Sequence, residues 1–225
     1  MKYLKIILFF LFTTLFFHFS AQAADCPSPE EIEGNPARYV LAASRGEVKG
    51  YFDKESIESI RYAPPHYTIK VNFYYVDKRA GAIHQMRTLL DYNWKRSEET
   101  LVKEAAGGKK TALFDTDEKK KQLMKDTLSL VEEDTGMQLA VTDITSYSLQ
   151  GEKIRDYHFD TPKARKIALS EIYTLADVIF YHCHHTFFGV TQWFVKMDHL
   201  KALTDDFGNI DTSNVPYNVP VRTGT

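Results

Sequence analysis

The sequence predicts an α+β domain in which two principal helices pack on a mostly antiparallel, meander-like β-sheet. Several short runs alternate apolar and polar residues with the period of two that a half-buried strand requires, and turn-forming glycines separate some of them. Two longer stretches carry apolar residues at helical spacing instead. Because the length suits one domain, we expect a single α+β domain over residues 38–203.

The N-terminus has the organisation of a cleavable signal peptide, which we expect to span residues 1–23. Lys2 and Lys5 precede an apolar run over residues 6–19, and small residues then supply an A-x-A cleavage site. This run is shorter than the roughly 20 apolar residues of a membrane helix, although retention as an anchor is an alternative. Cleavage predicts export to the periplasm, the cell surface or the medium.

Cys26 raises lipidation as a second alternative, because it lies just beyond the apolar run. Asp25 argues against it, since lipoprotein processing requires a small residue directly before the cysteine. We therefore expect the mature chain to begin at Ala24 or Asp25 and to keep no transmembrane segment.

Cleavage would remove Lys2 and Lys5 from the 28 basic residues, which leaves 26 against 30 acidic ones and a formal charge of −4. This balance argues against a nucleic-acid partner bound through broad electrostatic attraction. The hydrophobic content of 44%, with 13% aromatic residues, is enough to build a packed core.

A proline-rich leader over residues 24–37 opens the mature chain, and its three prolines argue against a helix there. Strands are then predicted over residues 38–44, 48–53, 66–76 and 83–94. In the last two of these strands, alternate residues share a core-facing side: Tyr67, Ile69, Val71 and Phe73 in one, and His84, Met86, Thr88, Leu90 and Tyr92 in the other.

A helical insertion is predicted over residues 95–136. Its main helix follows Thr116 and ends at Gly136, with one apolar face. We expect that face to cover the sheet, with a partner-binding or membrane-surface helix as alternatives.

The chain then returns to strands over residues 137–149 and 153–159, and a second long helix follows over residues 164–182. Residues 187–195 form either a last strand or a continuation that packs under the sheet. Residues 204–225 form a loose tail.

The densest group of chemically versatile residues is Tyr181-His182-Cys183-His184-His185. His182 and His185 are three residues apart on a helix and are candidate ligands for zinc or copper. A closed site would need a distant partner such as His158, Asp198 or His199. The alternative is a helix end enriched in histidine, which the helix dipole favours.

The other motifs give little evidence for a function. Residues 205–208, Asp-Asp-Phe-Gly, stand without the remaining kinase elements, and residues 205–211 lack the ligand spacing of an EF-hand. No hydrolase motif is present, and Asp91 and Asp143 are read as solvated carboxylates. We expect no cofactor.

Tyrosines cluster in or near the predicted strands, at Tyr62, Tyr67, Tyr74, Tyr75 and Tyr92. Exposed tyrosine on a sheet is typical of binding surfaces, whereas packing in an ordinary sheet explains buried tyrosine.

The order of a signal peptide, a strand, the segment Gly-Tyr-Phe-Asp-Lys-Glu-Ser-Ile at residues 50–57 and a strand at residues 68–75 resembles the surface-adhesin E type of small exported bacterial domain. The glycine turn within residues 146–154 is similar. The resemblance implies a small antiparallel-sheet domain at the cell envelope, in a family whose members bind host surface proteins. Residues 95–136 depart from that pattern.

Cys26 and Cys183 are the only cysteines, and an exported chain meets an oxidising compartment. We expect a disulfide between them, which would stabilise the fold by roughly 4–5 kcal/mol in the chain-entropy model. A buried free thiol at Cys183 or lipidation at Cys26 are the alternatives.

Together these observations favour an exported, non-enzymatic envelope or binding protein with a protein or envelope partner. The alternative is a secreted or periplasmic enzyme, or a metal-handling protein, with a non-standard site.

Overall fold

Eight antiparallel strands form one sheet in the computed structural model, which describes residues 26–109 and 115–195. They are β1 (Tyr39–Arg45), β2 (Val48–Asp53), β3 (Glu58–Ala63), β4 (His66–Asp77), β5 (Ala82–Asn93), β6 (Met137–Ser148), β7 (Lys153–His158) and β8 (Arg165–Lys166). Their spatial order is β1-β2-β4-β5-β6-β7, while β3 also pairs with β4 and β8 with β6. The antiparallel α+β class is confirmed.

Within the same described ranges there are five α-helices, so the expectation of two is wrong in number. They are α1 (Pro29–Gly34), α2 (Glu98–Ala105), α3 (Asp117–Glu133), α4 (Glu171–His184) and α5 (Thr191–Phe194). The two longest, α3 and α4, correspond to the two predicted long helices. Helix α5 lies within residues 187–195, so that segment packs under the sheet and is not a strand.

Helix α1 forms inside the leader despite its prolines. Pro29 occupies the first helical position, where its missing N–H costs nothing. The Ser28 hydroxyl accepts a hydrogen bond from the Glu31 N–H, and the Glu31 carboxylate accepts one from the Ser28 N–H at 2.7 Å. This capping box satisfies two donors that the helix start would otherwise leave unpaired, so a short helix is stable there.

Strands β4 and β5 form the centre of the sheet and place its main core on one face. The predicted alternation in β4 is confirmed, since Tyr67, Ile69, Val71 and Phe73 are all buried against the helices. In β5 the core side chains include Leu90 and Tyr92. Each fully buried large apolar side chain contributes about 1.5–3 kcal/mol, so these strands hold the helices on this face.

A smaller cluster lies on the opposite face, where the leader docks. Tyr74, Val76 and Ile83 pack there against Cys26 and Ile32 of the leader. Ile32 is fully buried, so α1 is part of the folded domain and not a loose extension.

A buried carboxylate in α4 holds the chain that follows the helix. Asp177 is fully buried, and its carboxylate accepts hydrogen bonds from the N–H groups of Phe188 (2.7 Å), Gly189 (2.8 Å) and Thr191 (3.3 Å). The Tyr173 hydroxyl accepts another from Val190. Burial raises the pKa of Asp177, and the N–H donors oppose that rise. A non-helical segment can be buried here because α4 side chains pair its backbone groups.

A second acid, Glu98 at the start of α2, binds the end of the same segment. Its carboxylate accepts hydrogen bonds from the Trp193 indole (2.7 Å) and the Gln192 amide (2.6 Å), and its own N–H donates to the Phe188 carbonyl. Burial raises the pKa of Glu98 to about 7. Residues 186–195, which we call the C-terminal arm, are therefore attached to both α4 and α2.

The Gly189→Ala substitution should destabilise the protein. A Cβ at this position would overlap the Tyr173 hydroxyl oxygen, so the arm or the tyrosine must shift. We expect the free energy of unfolding to fall by on the order of 2 kcal/mol, measured by urea denaturation. Gly34→Ala is the matched control, because nothing lies within 4 Å of the added Cβ there. Equal stabilities of the two variants would contradict this account of the arm.

Glu98→Gln should alter how stability depends on pH. The pKa of Glu98 is raised from 4.5 to about 7 in the folded state, so the native protein binds this proton more tightly than the unfolded chain does. The stability this proton contributes is present below pH 4.5 and is lost as the pH rises through 7. A glutamine cannot ionise, so its contribution to stability does not change with pH. Between pH 5 and pH 8 the free energy of unfolding of the variant should therefore rise relative to that of the wild type, by at most about 3 kcal/mol.

Denaturation at several pH values measures this gain. Glu99→Gln is the control, because Glu99 is an exposed neighbour that pairs with Lys103. Parallel pH profiles for wild type and the Glu98 variant would show that Glu98 does not titrate in this window.

Candidate functional site

The histidines at the end of α4 point toward different neighbours. The His182 ring lies 6.0 Å from the Phe52 ring, on the side of the sheet that faces the helices. His185 is exposed and left-handed (φ 55°) at the helix C-cap, where its N–H donates to the Tyr181 carbonyl at 2.7 Å. The helix dipole favours histidine at this end of the helix.

The predicted metal site gains no further ligand from the described residues. Over residues 26–109 and 115–195 no three His, Cys, Asp or Glu side chains converge on one point. His158 binds Asp143 on β6 instead. Asp198 and His199 lie outside the described residues, so ligation by His182 and His185 stays a prediction from sequence.

Aromatic rings run from the core to the surface beside the end of α4. Buried Phe180 lies under Tyr67, whose ring centroid is 5.7 Å away and nearly perpendicular (82°). Tyr67 in turn contacts Tyr62 edge-on, at 5.1 Å and 83°. The Tyr62 side chain is 70% exposed. We call Tyr62, Tyr67 and His184 the aromatic patch.

His184 forms the side of this patch. Its ring centroid lies 4.5 Å from Phe180, 5.5 Å from Tyr67 and 5.6 Å from Tyr62. Its Nε2 is buried without a hydrogen-bond partner in the described structure, and burial, assisted by His185, lowers its pKa. The imidazole therefore contacts one side of the Tyr62 ring, while Tyr67 contacts it edge-on.

The five strand-associated tyrosines divide unequally between core and surface. Three are buried, namely Tyr67, Tyr74 and Tyr92, and Tyr75 is half-buried. Tyr92 also donates from its hydroxyl to the Ala176 carbonyl at 2.8 Å, which bonds the sheet to α4. Packing therefore explains most of them, and Tyr62 is the exception.

The structure does not form the predicted disulfide. Cys26 is buried in the small cluster under α1, whereas Cys183 packs against the main core on the other face of the sheet. Both are free thiols, separated by the sheet itself. Burial raises the pKa of the Cys26 thiol to about 12 and also raises that of Cys183, which keeps both protonated and weakly nucleophilic.

A histidine and carboxylate pair lies on the face of the sheet away from the main core. His158 Nδ1 is 2.7 Å from Asp143 Oδ1, and the Thr142 hydroxyl donates to Asp143 Oδ2 at 2.8 Å. The β6–β7 register places Asp143 directly opposite His158. A β-bulge beside the pair, where the β5–β6 register shifts between Arg87 and Thr88, leaves Thr142 unopposed. The hydrogen bond with Asp143 is the main cause that raises the pKa of the exposed His158.

This pair can hold a proton and present it at His158 Nε2. Asp160 lies 3.9 Å from that nitrogen, and Asp156 on the same strand also faces the imidazole. A carboxylate there stabilises the protonated imidazole. The geometry is that of a surface ion pair, and within residues 26–109 and 115–195 the Thr142 hydroxyl beside it bonds Asp143 and not the imidazole.

A shallow cavity of about 590 Å³ lies beside α1, lined by Ser28, Pro29, Glu30, Lys78, Leu149 and Gln150. Its two titratable side chains, Glu30 and Lys78, are exposed. The acidic segment at residues 205–211 lies outside the described residues.

Comparison with known proteins found no matching family model, curated protein or solved structure. No described helix is long and apolar enough to cross a membrane. Function is therefore inferred from the surfaces described above.

Sequence reasoning missed the pairing of Asp143 with His158 and the exposure of Tyr62. The residue types were visible, since Asp143 was read as a solvated carboxylate and His158 as a distant ligand. A β-bulge and a cross-strand register determine the pair, and neither has a signal in a single sequence.

Proposed function

We propose that this chain is an exported, non-enzymatic binding protein of the cell envelope that engages a protein partner through the aromatic patch. The observation that supports it is Tyr62, which is 70% exposed although its ring packs edge-on against Tyr67 and contacts His184. Ile60 on the same strand is also exposed, at 48%.

An exposed tyrosine that packs against neighbouring rings suits recognition of a protein partner for two physical reasons. Its ring offers a large apolar area and its hydroxyl a hydrogen bond, so it can bury against a partner without an unpaired polar group. The contacts with Tyr67 and His184 already restrict its rotamers, so binding loses little conformational entropy. Tyrosine is accordingly enriched among the residues that dominate protein interfaces.

The Asp143–His158 pair is what favours the alternative, a secreted enzyme. A carboxylate that orients an imidazole is one half of a nucleophilic site. Here the nearby group is the Asp160 carboxylate, which would hold the imidazole in its charged form and weaken it as a base. The pair fits a surface ion pair better, and we favour the binding function.

The resemblance to surface-adhesin E domains supports the envelope location and the kind of partner. Strand β2 ends at Asp53, Ser56 and Ile57 lie between β2 and β3, and β4 follows, an order that is compatible with an antiparallel domain of that kind. Asp53 also caps the short 3-10 helix Lys54–Ser56 and pairs with Arg38, so these residues have structural roles.

Substitution of Tyr62 tests the binding function. Purified protein should bind saturably to envelope vesicles from the producing organism, and protease treatment of the vesicles should abolish binding if the partner is a protein. Tyr62→Ala should weaken the apparent Kd at least about tenfold, whereas Tyr62→Phe should keep most of the affinity.

The matched control is Ile172→Ala, which removes another exposed apolar side chain (53%) on α4, outside the patch. Thermal melts verify that the variants fold. Absence of saturable binding by the wild type, or equal loss in the Tyr62 and Ile172 variants, would refute the proposal.

Export is tested separately, by the mass of the mature protein. Residues 1–25 lie outside the described structure, but cleavage after Ala23 would leave Cys26 and α1 intact and docked on the sheet. We expect the protein from the periplasmic or extracellular fraction to begin at Ala24 or Asp25. Recovery of that protein with Met1 retained would contradict cleavage.

A further inference from the structure

Strand β7 forms one edge of the sheet, and within residues 26–109 and 115–195 its only strand neighbour is β6. All six of its residues are exposed. Three large apolar side chains lie on or next to it, with Ile154 63% exposed, Tyr157 47% and Phe159 42%. Proteins normally protect such an edge, because its free backbone groups can pair with another strand.

The opposite edge of the sheet shows such protection. The register of β1 shifts between Leu41 and Ala43, in the middle of its pairing with β2. A bulge at this position twists an edge away from regular pairing. Strand β7 also has a register shift, at Ile154, and its pairing with β6 is regular only from Arg155 to His158.

In β7, the backbone N–H and C=O groups of two residues point away from the sheet. The Phe159 N–H donates to the Thr142 carbonyl of β6, so Phe159, and by alternation Tyr157 and Arg155, direct their hydrogen-bonding groups inward. Asp156 and His158 therefore direct their N–H and C=O groups away from the sheet.

We propose that β7 pairs antiparallel with β7 of a second copy of this chain, about a two-fold axis at Tyr157, which joins two sheets into one. In this register Asp156 of each copy lies opposite His158 of the other copy. The two residues of each such pair exchange backbone hydrogen bonds. Arg155 lies opposite Phe159 of the second copy, where its guanidinium can stack on the ring.

The charges of the paired side chains favour this register over the two registers in which the axis moves by one residue. A shift that centres the axis on Asp156 places two aspartates opposite each other, and one that centres it on His158 places two histidines opposite each other. With the axis at Tyr157, each charged side chain of residues 155–159 meets an opposite charge or an aromatic ring. Within one chain, Arg155 lies over the Tyr157 ring, 5.5 Å from its centroid, and Lys153 Nζ pairs with Asp156 Oδ2 at 2.6 Å. Dimer formation would add the contacts of the second copy to these interactions or replace them.

The charge on His158 adds to the attraction. Asp143 on β6, Asp160 in the following loop and Asp156 on the same strand all face it, and they raise its pKa, chiefly through the hydrogen bond with Asp143. The raised pKa favours the charged imidazole, which would lie opposite the Asp156 carboxylate of the second copy. The paired segment is short, so we expect a weak dimer with a Kd of roughly micromolar size.

Cysteine cross-linking tests the axis directly. Residues on the two-fold axis form a non-hydrogen-bonded pair with Cα atoms about 4.5 Å apart, within the range that a disulfide spans. Tyr157→Cys should therefore form a covalent dimer under mild oxidation. Ile154→Cys is the matched control, since the two copies of residue 154 would lie roughly 20 Å apart in this register.

Charge exchange tests the register. Asp156→Lys or His158→Asp alone creates like-charge pairs and should raise the dimer Kd about tenfold or more, measured by analytical ultracentrifugation of the full chain. The double variant restores opposite charges and should dimerise within about threefold of the wild type. Thermal melts confirm that each variant folds.

Three results would overturn the proposal. They are a wild type that stays monomeric up to about 1 mM, cross-linking of the residue 157 variant no faster than that of the residue 154 variant, and a double variant as weak as the single ones. The aromatic patch is a separate surface, so failure here leaves the proposed binding function untouched.

Discussion

The buried carboxylate of Asp177 is the interaction on which the helix-covered side of the structure depends. It lies inside α4 and accepts three backbone N–H groups from the arm that follows. Without it, Phe188 and Gly189 would bury donors with no partner, at about 1–3 kcal/mol each. The bonds turn the chain back after α4, which places Trp193 against Glu98 and closes the core over the sheet.

The same turn keeps the end of α4 in place, and with it the aromatic patch. Phe180 and His184 lie on this last part of the helix and support Tyr67 and Tyr62 from one side. The exposed ring of Tyr62 is therefore connected to the core by successive ring contacts. An exposed side chain with such contacts is suited to recognition, because each contact reduces the conformational freedom that binding would cost.

Secondary structure was predicted correctly where one-sided burial produces a periodic pattern of apolar residues in the sequence. Strands β4 and β5 alternate because each has one face against the helices, and that pattern is visible in the residues themselves. Strand β3 was missed because all six of its residues are exposed, so it has no alternation to read. Helix α1 was missed because its prolines were weighed as helix breakers, whereas Ser28 and Glu31 form a local capping box that favours the helix.

The sequence by itself determined the fold class, the central strands and the two long helices, because these depend on local periodicity. Only the tertiary structure decided that Cys26 and Cys183 lie on opposite faces of the sheet, that Asp143 meets His158, and that Tyr62 is exposed while Tyr67 is buried. Those outcomes depend on strand register, a bulge and the turn after α4, which bring together residues far apart in the chain and leave no periodic signal in it.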